Sequence, residues 1–323
     1  MWYNNWVSMK EKTGGKFRSK CLIFGIITLV IFATINIWGF FYFSTNVVAG
    51  SKTFYELLNP ARGIIKQEDL IVNFQPLRDY LNNKYESDAD VSVYFEFLNT
   101  GANISIGKDA EFYPASLLKV PVAMAVAKKI ERGEWQWINE LVLLSADRDK
   151  KFGDLYKQPT GSTFTIEELV KKSLQESDNT AHFILVRNLE MSEIQDVYDH
   201  MGLYDFMTTD GKISAKKYSV IFRALYNSSY NTAENSSKML GYLANSKFDN
   251  YIKSALPADI KLAHKIGTSE DQGVYLDSGV IYFPGRPYLL TVMIRAFDEK
   301  IATAKIKDIS EKVYKYIKEF EQK

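Results

Sequence analysis

Three short segments of this chain carry residue types that can do nucleophilic chemistry. Ser116-Leu-Leu-Lys119 follows Tyr113-Pro-Ala115, and Ser177-Asp-Asn179 and Lys265-Ile-Gly267 come after it in that order. A serine hydroxyl is a weak nucleophile until a base takes its proton. Pro114 and the apolar run behind it place Ser116 near a helix start, where developing negative charge is favoured. Residues three apart share a helix face, so Lys119 can reach back to Ser116. A desolvated lysine near other cations loses its own proton and can serve as the base. In the second segment Ser177 could relay a proton to a leaving nitrogen, with Asn179 holding substrate and lysine in place. In the third, Lys265 could meet a substrate carboxylate or polarise Ser177, and Gly267 could let a substrate backbone approach closely.

Each segment also has a plainer meaning. Ser-x-x-Lys recurs at Ser214-Ala-Lys-Lys217, and either copy reads as a surface helix pair. Ser177-Asp-Asn179 suits a polar turn or the N-cap of a following helix. Lys265-Ile-Gly267 suits a strand end with a glycine bulge. Only the ordered set is specific.

The elements that must position these groups are legible in outline. Phe74 to Ser87 reads as a helix, with Phe74, Leu77, Tyr80 and Leu81 at helical spacing. Val91–Phe97 and Ala102–Ile106 flank Asn99-Thr-Gly101 as a β-hairpin. The section from about 115 to 255 is mostly helical, and Thr165-Ile-Glu-Glu168 offers a capping box within it. Strand character returns at Lys261–Gly267, Gly279–Phe283 and Tyr288–Arg295, with Pro284-Gly-Arg-Pro287 as a turn. The chain closes in an amphipathic helix carrying Ile306, Ile309, Val313, Tyr316, Ile317 and Phe320 on one face. These elements predict an α+β fold. One antiparallel sheet is built from distant segments, terminal helices flank it, and an all-helical subdomain is inserted.

Composition narrows the function. The chain has 40 Lys+Arg against 39 Asp+Glu, so it lacks the basic excess of a nucleic-acid binder. With Cys21 as the only cysteine, it can form no internal disulfide and no cysteine-rich zinc site. His182, His200 and His264 are the only histidines, which leaves few members for a metal site or a Ser-His-Asp triad. His182 reads as structural, His200 as surface, and His264 as facing away from Lys265 by strand alternation. No residue cluster implies a metal or an organic cofactor.

The N-terminus suggests the compartment. Residues 21–43 contain neither charge nor proline, and about 20 apolar residues span a bilayer as a helix. The tail 1–20 holds Lys10, Lys12, Lys16, Arg18 and Lys20 against Glu11 alone. Positive charge stays cytoplasmic, so the rest of the chain is expected outside. A cleaved signal peptide ending near Val47-Val-Ala49 is the alternative, but its apolar region usually runs about 7–15 residues. The expected organisation is a basic cytoplasmic tail (1–20), a transmembrane anchor (21–43), a juxtamembrane connector (44–72) and one folded domain (73–323).

The ordered trio resembles the penicillin-recognising serine hydrolases, the class A β-lactamases and their DD-peptidase relatives. Ile130-Glu-Arg-Gly133, Ser177-Asp-Asn-Thr-Ala181 and Gly285-Arg-Pro287 belong to the same likeness, which covers residues 73 to 320 or so. It implies a five-stranded sheet and two terminal helices. It also implies that Ser116 is acylated with Lys119 as base, directly or through a water. Ser177 would then protonate the leaving group with help from Lys265. Backbone N–H groups of Ser116 and Thr268 would form the oxyanion hole, while Asn179, Gly267 and Thr268 hold substrate. The implied ligands are β-lactams or the D-Ala-D-Ala ends of peptidoglycan stem peptides.

Two departures qualify the likeness. Class A β-lactamases carry a glutamate on an omega loop between the second and third motifs, and it activates the deacylating water. Here Met201-Gly-Leu-Tyr-Asp205 runs almost directly into Thr208-Thr-Asp-Gly-Lys-Ile-Ser-Ala215, without that loop. Asp205 and Asp210 are the acids nearest the gap. In addition, Ile266 stands where the third motif usually has Thr or Ser, so Thr268, Arg286 or Arg295 would have to help with a substrate carboxylate. The missing loop favours a DD-carboxypeptidase-like penicillin-binding protein over a β-lactamase, while Ile266 bears on substrate preference more than on reaction type. The alternative is a catalytically weak ligand-binding or sensor module on the same fold.

Overall fold

The hairpin of β1 (Val91–Phe97) and β2 (Ala102–Ile106) forms as expected around Asn99–Gly101. In this computed structural model, residues 27–38, 55–59, 65–204, 206 and 210–320 are described. A two-stranded sheet pairs β3 (Glu140–Val142) with β4 (Thr163–Thr165). β5 (Leu262–Ser269), β6 (Val274–Ile281) and β7 (Tyr288–Arg295) join the hairpin in one antiparallel sheet of order β2-β1-β7-β6-β5. Val93 of β1 faces Ile106 on one side and Val292 on the other.

Both faces of this sheet are covered, which is why β1, β6 and most of β7 are buried along their whole length. On one face lie α1 (Gln75–Tyr85) and the C-terminal helix. They bury Leu77, Leu81, Ile306, Ile309, Val313 and Ile317 against Phe95, Phe97, Leu290 and Ile266. The other face meets the helical subdomain through Tyr94, Ala263, Leu276, Leu289 and Met293. That subdomain contains α2 (Lys119–Glu131), α3 (Ile166–Gln175), α4 (Asn179–Arg187), α5 (Met191–His200), α6 (Ala215–Asn227) and α7 (Ala233–Ala244). α8 is the C-terminal helix, Glu299–Glu319.

α2 is buried from Lys119 to Ala127. Its small residues, Ala123, Ala125 and Ala127, suit a helix that is packed all round. Thr165 caps α3 as expected: its Oγ1 accepts from Glu168 N at 3.2 Å, while Glu168 Oε2 accepts from Thr165 N at 2.8 Å.

Two expectations change in detail. β6 begins at Val274, well before the expected Gly279. Asp277 and Ser278 hid the strand because they are polar, yet both are buried with partners: Asp277 with His264, and Ser278 Oγ with Thr291 Oγ1 at 2.7 Å. Lys265 is not at a strand end and no bulge follows it, since β5 pairs continuously with β6 from Leu262 to Ser269.

Of the stretch expected as a connector, residues 55–59 and 65–72 pack on the domain. Leu58 enters the core beneath the helical subdomain, Ile71 enters the core beneath the terminal helices, and Asn59 N donates to Tyr226 O at 2.7 Å. Residues 27–38 are helical with exposed apolar side chains, and the rest of the expected anchor 21–43 lies outside the described residues. So does the expected basic tail 1–20. Among the described residues no helix is long and apolar enough to cross a membrane.

Candidate active site

The three sequence motifs meet between β5 and the helical subdomain: Ser116, Lys119, Asn179 and Thr268 line a cleft there, while Ser177 and Lys265 are buried and reach it through Lys119. Ser116 sits in a 3-10 turn, Ala115–Leu118, that leads directly into Lys119 and α2. Ala115 just before it has φ +46°, and Ser177 has φ +54°. Left-handed backbone at a residue with a Cβ costs about 1–3 kcal/mol and persists only where the surroundings hold it. Here it flanks or forms both serines of the site.

Lys119 Nζ donates to Ser116 Oγ at 2.8 Å, to Asn179 Oδ1 at 2.6 Å and to Ser177 Oγ at 3.3 Å. That uses all three protons of an ammonium. Lys265 Nζ reaches Ser177 Oγ from the other side, at 2.8 Å. Ser177 therefore accepts from two lysines, and its own proton is left to give away. Both lysines are buried, 3% and 1% exposed, and their partners are hydroxyl, amide and backbone oxygens. Burial pulls Lys119 down to about 8, against the opposing pull of Asp178 and Asp149. It pulls Lys265 well below its ordinary range, with the charge of Lys119 adding to the effect.

The second motif is both a cap and part of the site. Asp178 Oδ1 caps α4 by accepting from Ala181 N at 2.9 Å. Its Oδ2 accepts from Asp154 N and Leu155 N at 2.8 and 2.9 Å, which stitches the preceding loop to the helix start. Gly153 permits this approach: with φ +83°, a Cβ there would fall 2.0 Å from Asp178 Oδ2.

The cleft encloses about 530 Å³ and is lined by Ser116, Lys119, Asn179 and Thr268, with Phe152 and Tyr113 toward the rim. Gly267 also has a packing role. A Cβ there would lie 2.8 Å from Pro114 O and 3.2 Å from Leu117, so the glycine admits the turn that bears Ser116. Ile266 points to the opposite core and offers the cleft nothing. His264 shares that far face, with Nδ1 2.9 Å from Asp277 Oδ1.

Other readings also change. His182, expected as structural, lines the cleft; its Nδ1 has no hydrogen-bond partner among the described residues. Burial and the two lysines hold it neutral, at about 3. Arg286 donates to Glu68 O at 2.6 Å and Ile317 O at 2.9 Å, and Arg295 pairs with Asp90 at 3.0 Å; neither lines the cleft. Asp210 is exposed and paired with Lys212 at 2.6 Å, and Asp205 lies outside the described residues. The acids that do line the cleft, Asp149, Glu270 and Asp271, were not singled out from sequence, because charged loops read as solvated surface.

The model of the β-lactamase enzyme family matches residues 75–317, the whole sheet and helical subdomain. This chain belongs to the β-lactamase enzyme family. Its members are serine hydrolases, and the match spans all three motifs described above. β-Lactamase VEB-1 of Pseudomonas aeruginosa is 25% identical over 258 residues, covering 71% of this chain and 86% of that protein. Among solved structures, PBP-A superposes with a TM-score of 0.69 at 20% identity, covering 76% of this chain and 97% of that one. A β-lactamase from Sphaerobacter thermophilus gives 0.68 at 21% identity, covering 78% and 100%. These structures share the fold: an α+β arrangement with a five-stranded antiparallel sheet.

Proposed function

We propose that this β-lactamase family member is acylated at Ser116 by β-lactams and by D-Ala-D-Ala peptides, and that it releases the acyl group slowly, as a DD-carboxypeptidase-like penicillin-binding protein does. The observation that carries the reading is the contact of Lys119 Nζ with Ser116 Oγ, joined through Ser177 to Lys265.

In its free-amine form Lys119 reverses the hydrogen bond and takes the proton from Ser116 as Oγ attacks the carbonyl carbon. The oxyanion forms at the backbone N–H groups of Ser116 and Thr268, and preorganised donors of this kind stabilise it strongly. As the C–N bond breaks, Ser177 gives its proton to the nitrogen and is resupplied through the lysines on either side. Lys265 and the Thr268 hydroxyl receive the substrate carboxylate.

Deacylation needs a base for water. The segment joining α5 to α6 contains no glutamate, and Asp210 points elsewhere. Burial and the charges of Lys119 and Lys265 lower His182, which disfavours its taking a proton from water. Of the acids that line the cleft, Asp149 Oδ1 is occupied by Lys151 N and Asn179 Nδ2, and Glu270 and Asp271 are exposed beyond the end of β5, so the acyl-enzyme is expected to last. A solved structure of the same fold, a mutant of PBP-A, is an acyl-enzyme complex with penicillin G, so a cleft of this architecture accommodates that ligand. Anchoring outside the cytoplasmic membrane through residues 21–43 completes the proposal and matches a cell-wall substrate.

Intact mass of the purified full-length chain after adding benzylpenicillin tests the reading, with Ser116→Ala alongside. An adduct that persists for many minutes, absent from the variant, supports it. An adduct that vanishes while drug is consumed overturns slow release. No adduct overturns acylation and favours a ligand-binding module.

A further inference from the structure

Asp149 lies in the loop before α4, and its backbone is clamped to that helix. Thr180 Oγ1 accepts from Asp149 N at 3.0 Å and donates to Asp149 O at 3.3 Å, while Asn179 N donates to Phe152 O at 3.1 Å. The carboxylate is thereby fixed beside the second motif. Its Oδ1 accepts from Lys151 N at 2.8 Å and from Asn179 Nδ2 at 2.9 Å.

A carboxylate only accepts hydrogen bonds, so it selects the NH2 end of the Asn179 amide. The carbonyl end must then face Lys119 Nζ, at 2.6 Å. An asparagine amide is nearly symmetric in shape. An ammonium at Lys119 rejects the flipped amide, but the free amine accepts as well as donates, so in that form Asp149 selects the orientation.

We propose that Asp149 is a positioning residue of this site: it locks the Asn179 amide with its carbonyl on Lys119, and it holds a negative charge beside that lysine. The proposal rests on Lys119 acting as the base for Ser116.

The charge has a direction. Lys119 is faced by Ser116 from its own turn, by Ser177, Asp178, Asn179 and His182 from α4 and its lead-in, by Asp149 from the loop, and by Lys265 from β5. His182 is neutral, and Asp178 is committed to the cap and the loop. Asp149 is thus the carboxylate that can be changed without dismantling the helix start. It raises Lys119, opposing desolvation, so losing its charge lets the free amine appear at lower pH.

Asp149→Asn and Asp149→Ala separate the two effects, because an asparagine carbonyl can still accept from Asn179 and an alanine cannot. The readout is the second-order rate of acylation by benzylpenicillin from pH 5 to 10. Both variants should move the rising limb of the profile to lower pH. Asp149→Ala should also lose about tenfold at the plateau, the worth of one hydrogen bond near a charge. Asp149→Asn should recover most of that loss. A Lys119 titration followed by side-chain NMR on 15N-lysine protein, without substrate, should show the same downward shift. An unmoved limb and an unmoved titration overturn the proposal. Equal losses in both variants with an unmoved limb would mean that Asp149 only folds the loop. Failure of the parent to form an adduct would sink the acylation reading, while the NMR titration would still decide the placement of Asp149.

Discussion

β5 presents two faces that treat buried polarity in opposite ways. Toward the terminal helices, His264 Nδ1 meets Asp277, and Asp277 also accepts from Ile252 N at 3.0 Å, so the buried carboxylate finds partners on both oxygens in an apolar surround. Toward the helical subdomain, Lys265 and Lys119 are as deeply buried but meet hydroxyls and an amide, with no carboxylate on them among the described residues. The first arrangement fastens the 3-10 turn at Ile252 to the sheet. The second keeps two amines ready to lose protons. A buried charge that is left unbalanced is costly, and such costs collect where a site needs them.

The comparison breaks most directly at Lys119. Lys119→Met should slow acylation about 1000-fold, within the range of general-base catalysis, as followed by adduct mass against time. Asp277→Ala on the other face should do the reverse. It strands His264 and the Ile252 N–H, costing about 3 kcal/mol in urea unfolding, while the folded fraction acylates at the parental rate. Lys265→Met sharpens the contrast: it should slow acylation about 100-fold yet leave the melting temperature equal or higher, because burial disfavours its ammonium and no carboxylate contacts it among the described residues. A clear loss of stability there would erase the difference between the faces.

The pH dependence follows from the same asymmetry. Acylation should rise with pH through about 8, as Lys119 loses its proton. The folded value lies below the unfolded 10.5, so between these values the unfolded chain holds more protons. Stability from this group should therefore rise across that window, and Lys119→Met should flatten the rise in unfolding curves. The smallest effect belongs to the rim. Lys151 and Asp271 lie 3.8 Å apart and are 74% and 84% exposed, so Lys151→Ala should change stability by under about 0.5 kcal/mol.

The hairpin, the cap at Thr165, the amphipathic α8 and the three motifs were legible because each depends on local spacing or a local cap. What escaped depends on contacts between distant segments. Asp149 stands in Ala-Asp-Arg-Asp-Lys-Lys, which reads as a solvated charge run until Thr180 and Asn179 are seen to fold it inward. Gly267 was expected to make room for substrate; that it also makes room for Pro114 O, more than a hundred residues earlier, was not. His182 follows the motif on a helix whose buried side is clear, yet only the packing of β5 decides that the cleft lies there. The three-residue strands β3 and β4 are too short to show a period at all.

The short joint between α5 and α6, without a glutamate, bears on how such a protein would meet an antibiotic. A site that is acylated and holds its product works by stoichiometry: one copy removes one molecule and is then out of use. Its influence on a cell would scale with copy number and rate of synthesis, and raising the drug concentration would saturate it abruptly.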